Sequence, residues 1–116
     1  MTFDIEIVLR ERDYAVTQEV QIGNPAADWS ESDVEQILKS MLLAIDRVRN
    51  PGDDERFVAL RGFSWIVEPS DGGVVIAIEI QSGAAVAGPF DVDQRKLDSL
   101  IKRVLAAAAP ARPTIH

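Results

Sequence analysis

The chain has 116 residues, 47% hydrophobic and 27% charged, with a net charge of −7 and no cysteine. That balance describes one folded domain, large enough to bury a core without a staple, and the missing cysteines exclude a disulfide scaffold, a thiolate metal site and a Cys nucleophile. The first 55 residues hold 13 of the 19 acidic side chains but 5 of the 12 basic ones, which argues against nucleic acid and anionic membranes as partners and suits a basic protein.

The longest apolar runs fall far short of the ~20 residues that cross a bilayer. Met1-Thr2-Phe3-Asp4-Ile5-Glu6 carries acids where a signal peptide has a basic and then an apolar stretch. The expected location is cytoplasmic, with no membrane contact.

Phe3, Ile5, Ile7 and Leu9 alternate with Asp4 and Glu6, the period of a half-buried strand. Arg10-Glu11-Arg12-Asp13 breaks the pattern, and it resumes with Tyr14, Val16, Val20 and Ile22 against Thr17, Glu19 and Gln21. Pairing Leu9 with Tyr14 sets Ile7 opposite Val16 and Phe3 opposite Val20, so that the apolar side chains share one face. Gln18 is the polar exception on that face.

Gly23-Asn24-Pro25 ends the hairpin. Ser30 then caps a helix, with Asp33 three residues on as a short capping box and Trp29 stapled against Val34. Val34, Ile37, Leu38, Met41, Leu42, Ile45 and Val48 recur at helical spacing, and Asn50-Pro51-Gly52 stops the run.

A second unit begins at Phe57. Residues 57–67 read as a strand, Ser70-Asp71-Gly72-Gly73 as a turn, and Val74, Ile76, Ile78 and Ile80 as the inner face of the next strand. Residues 82–90 read as a small-residue loop. Asp91 or Asp93 caps a second helix with Leu97, Leu100, Ile101, Val104 and Leu105 inward, and residues 109–116 read as a frayed tail beyond a single domain spanning 1–108.

The expected fold is therefore α+β. Its order is ββα–ββα, with a four-stranded antiparallel sheet and both helices on one face. Glu19-Val20-Gln21-Ile22-Gly23 recurs 60 residues later as Glu79-Ile80-Gln81-Ser82-Gly83, which suggests an internal pseudo-repeat of that unit.

The chemistry is sparse. The sole histidine, His116, is the last residue, where it is not expected to be held by a second group as a triad or metal cluster requires. Gly83-Ala84-Ala85-Val86-Ala87-Gly88 lacks the Gly-Lys-Ser/Thr ending of a phosphate loop, and Asp91 and Asp93 follow it where they would repel an anion. Neither a catalytic residue, a cofactor nor a metal is expected.

Three readings follow. The preferred one is a non-enzymatic interaction or assembly protein, a homodimer joined through the open sheet face; its candidate interface is Val58, Leu60, Ser64, Ile66, Val75 and Ala77, an outward strip more apolar than the first hairpin's. The alternative is a small-ligand domain with a cavity between sheet and helices, lined by Gln18, Arg61 and Trp65. The third is an enzyme or divalent-metal protein that uses outward Asp4, Glu6, Glu19 and Glu79.

Overall fold

Alternation alone builds the first hairpin. In the computed structural model, which describes residues 1–11, 14–50 and 60–108, β1 (Thr2–Leu9) pairs antiparallel with β2 (Ala15–Gln21), Ile7 opposite Val16 and Phe3 opposite Val20. The pairing extends past the strand ends. Ile22 N–H donates to Met1 O at 2.8 Å, and the Met1 amino group donates to Ile22 O at 2.7 Å.

A 3-10 turn over Ala26–Asp28 leads into α1 (Glu31–Arg49). Ser30 and Asp33 close the capping box, and the Ser30 N–H donates to the Asp33 carboxylate at 2.9 Å. Val34, Ile37, Leu38, Met41, Leu42 and Ile45 are all buried. The helix ends at Asn50, where a proline follows.

The second half departs from expectation. It holds three strands, β3 (Ser64–Ser70), β4 (Gly73–Ile80) and β5 (Gly83–Phe90), before α2 (Gln94–Ala108). The sheet is five-stranded in the order β2-β1-β5-β4-β3, antiparallel at every pair. The segment read as a small-residue loop is its middle strand. The four-stranded ββα–ββα order is thus replaced by ββα followed by βββα.

Small residues are what this middle strand needs. Ala85 and Ala87 face the helices and are fully buried, and α1 lies over β5 and β1; short side chains let the helix approach the centre of the sheet. At the far end of β5, Phe90 returns to the core. It packs edge-on against Phe3 and Trp29, with ring centroids 5.0 and 4.8 Å away.

Both helices cover the same face. α1 packs on β1, β5 and β2, α2 on β3, and the helices touch each other. Asp93 caps α2, its carboxylate accepting from the Lys96 N–H at 3.1 Å. Leu97, Leu100, Ile101 and Val104 complete the core. No helix among the described residues is long and apolar enough to cross a membrane. The expected tail at 109–116, with His116, and the expected start of the second unit at Phe57 lie outside the described residues.

Candidate functional site

The helices leave one face of the sheet bare. Because side chains alternate along a strand, the bare face carries Thr2, Asp4, Glu6 and Val8 of β1, Ala84 and Val86 of β5, Val75, Ala77 and Glu79 of β4, and Ser64, Ile66 and Glu68 of β3. Register turns these into rows. One row runs Thr17, Glu6, Val86, Ala77, Ile66 across all five strands, and its neighbour runs Ala15, Val8, Ala84, Glu79, Ser64.

An apolar strip therefore crosses β5, β4 and β3. Ile66 is 51% exposed, Val8 42% and Val86 40%, high values for side chains this large. Sequence reasoning found Ser64, Ile66, Val75 and Ala77 by their parity. It missed Val8, Ala84 and Val86, which join the strip only because β5 inserts between the two hairpins. Leu60 does not belong to it, being buried in the core instead. Val58 lies outside the described residues.

Charge on this face has one sign. The five strands contain no Lys, Arg or His, and their acids, Asp4, Glu6, Glu19, Glu68 and Glu79, all point outward. Asp4 stands directly opposite Glu19. Glu79 is two strands from β1, in the row of Val8 and Ala84. Among the described residues, no group of three His, Cys, Asp or Glu is placed to hold a metal ion.

The cavity expected from Gln18, Arg61 and Trp65 is not assembled. Gln18 lies on β2 and Trp65 on β3, the opposite edges of the sheet, roughly 19 Å apart at four strand spacings. Arg61 instead lines an open cleft of about 790 Å³ at one end of the sheet, with Arg10, Arg49, Asp46 and Leu42, and neither Gln18 nor Trp65 reaches it. Strand order, which no local pattern encodes, separates the three.

The two sheet edges also differ. On β3, Gln94 Nε2 of α2 donates to Val67 O at 3.0 Å, which occupies an outward carbonyl, and Pro69 two residues on has no N–H to offer. Among the described residues nothing equivalent occurs on β2.

No family model matches the chain, and neither a curated protein nor a solved structure matches it.

Proposed function

We propose that this protein is a non-enzymatic interaction module whose bare sheet face docks a partner protein with an apolar centre and a basic rim. The carrying observation is the combination on one face of an exposed strip, Val8, Val86 and Ile66, with five carboxylates and no base among its strands. Five strands at about 4.8 Å spacing and seven residues at about 3.3 Å rise give a face of roughly 550 Å² in projection, the scale of one side of a specific interface.

The same charge argues against docking this face on that of a second copy. Two such faces in contact would bring carboxylates together without counter-ions, and each carboxylate left buried and unpaired costs several kcal/mol. Lysines and arginines on a partner turn the same groups into interfacial ion pairs and speed the encounter.

A photo-cross-linking amino acid in place of Ile66, and separately in place of exposed Arg103 on α2, tests the reading in cells. The expected result is a cross-link from position 66 to a distinct protein through a basic surface, abolished by Val86→Glu and not formed from position 103. Cross-links from position 66 only to further copies of this chain, or none at all, would overturn it.

A further inference from the structure

We infer that β2 is a homodimerisation edge, pairing antiparallel with β2 of a second copy in a register centred on Gln18. The inference does not depend on what docks on the bare face.

Backbone parity identifies the free groups. Met1 and Ile22 exchange both hydrogen bonds, and reciprocal pairs alternate along an antiparallel ladder. The reciprocal pairs are therefore Phe3 with Val20, Ile5 with Gln18 and Ile7 with Val16. The N–H and C=O groups of Ala15, Thr17, Glu19 and Gln21 then point away from the sheet. All four residues are exposed, and no described residue bonds to those outward groups.

Proteins guard such an edge with proline, charged side chains and above all lysine, a bulge or a covering side chain. The β3 edge has Pro69 and the Gln94 contact. Among the described residues β2 has no proline, lysine, bulge or covering side chain; its one charge is Glu19, and it is a regular seven-residue strand paired without a bulge along its inner side.

The sequence of β2 is self-complementary in one register. Centring on Gln18 makes four reciprocal pairs: Ala15 with Gln21 of the partner subunit, Thr17 with Glu19 of the partner subunit, and the same two reversed. Val16 meets Val20 of the partner subunit on the helix-side face, and no charge opposes a like charge. A shift of two residues one way sets Glu19 against Glu19 of the partner subunit, and a shift the other way loses Gln21 from the ladder. Shifts by one residue align outward groups with inward ones and make no ladder.

This register accounts for Gln18, the polar residue on an otherwise apolar face. It sits on the two-fold axis, where its amide meets the same amide of the partner subunit and each can donate to the other. The product is a ten-stranded sheet with both bare faces on one side. Glu19 and its symmetry mate lie on the diagonal, about 7–8 Å apart, so added salt should tighten the dimer slightly while it weakens any basic partner's hold on the face.

Because the chain has no cysteine, a single Gln18→Cys change reports the register. Opposed non-hydrogen-bonded positions stand about 4.5 Å apart at Cα, within disulfide range. Sedimentation equilibrium of the full chain should give twice 12.7 kDa, and Thr17→Pro, which removes one outward N–H, should return a folded single chain. Under mild oxidation Gln18→Cys should form a covalent dimer at least tenfold faster than Gln21→Cys. A mass of one chain at every concentration would overturn the inference. So would equal cross-linking rates at the two positions, a readout that stands even where Thr17→Pro fails to fold.

Discussion

Asp4 and Glu19 face each other across the β1–β2 ladder, two carboxylates at directly opposed outward positions. Pairs of this kind destabilise a hairpin, because neither side chain can escape the other's field without leaving the sheet. The pair adds to a face of uniform sign, which is the charge that the proposed docking of a basic partner requires.

Glu19→Gln keeps the shape and removes one of the opposed charges. It should stabilise the chain by up to about 1 kcal/mol at low ionic strength, with the gain shrinking as salt screens the pair. Urea unfolding at two salt concentrations measures it. An unchanged or lowered midpoint at low salt would mean that the two carboxylates do not repel in the folded chain. The same change should weaken binding of a basic partner, so stability and binding should move in opposite directions.

The cap of α1 gives the fold an acid-sensitive element. Asp33 is held below its ordinary 3.8, chiefly by the Ser30 backbone N–H and then by the Asn24 side chain, with slight burial opposing. Asn24 Nδ2 donates to both carboxylate oxygens at 3.2 Å. A carboxyl whose folded value is lowered contributes stability that is present above its unfolded value and lost as pH falls through the folded one. Asp33→Asn should therefore cost about 0.5–1 kcal/mol near neutral pH, and its difference from the parent should close below 3.8. A difference that stays constant through the acid range would assign the loss to shape rather than charge.

Phe90 holds the far end of the sheet to the α1 entry. Its ring lies between Phe3 of β1 and Trp29, both edge-on, and Trp29 is fixed in turn by its indole N–H donating to Asn24 O at 3.1 Å. Phe90→Leu removes two aromatic contacts and leaves a partial void, for an expected loss of about 2 kcal/mol. Denaturant unfolding should show a lower midpoint with unchanged slope. A loss below ~0.5 kcal/mol, inside the usual range of a surface change, would place the ring outside the core.

What was legible in the sequence follows from how local each signal is. Ser30 and Asp33 specify the start of α1 within four residues, and the apolar period of 3.6 marks its buried face. The β1–β2 register is likewise fixed by alternation over a short hairpin. β5 carries no such signal: Ala84, Ala85, Ala87, Gly88 and Pro89 are poor strand formers, and they occur there because neighbours on both sides and a helix above demand small side chains. The outward parity of Ile66, Val75 and Ala77 could be read from alternation, but their union with Val8 and Val86 depends on strand order. So does the separation of Gln18 from Trp65, which adjacency in a two-hairpin picture would have placed together.

The repeated Glu-x-Gln-x-Gly gives the sharpest test of that difference. Gly23 and Gly83 occupy equivalent positions in the two copies, yet a Cβ on Gly23 would meet nothing within 4 Å. A Cβ on Gly83 would lie 2.5 Å from Val8 O and 3.1 Å from Leu9 Cα, because β1 closes on β5 there. Backbone atoms cannot yield as a side-chain tip does, so Gly83→Ala should cost about 1–3 kcal/mol, whereas Gly23→Ala should stay within about 0.5 kcal/mol of the parent. Thermal unfolding of the two variants side by side distinguishes the cases. Equal losses would restore the two copies to one structural role; the expected inequality makes Gly83 a close-approach residue at the start of the middle strand and Gly23 an ordinary link into the next turn.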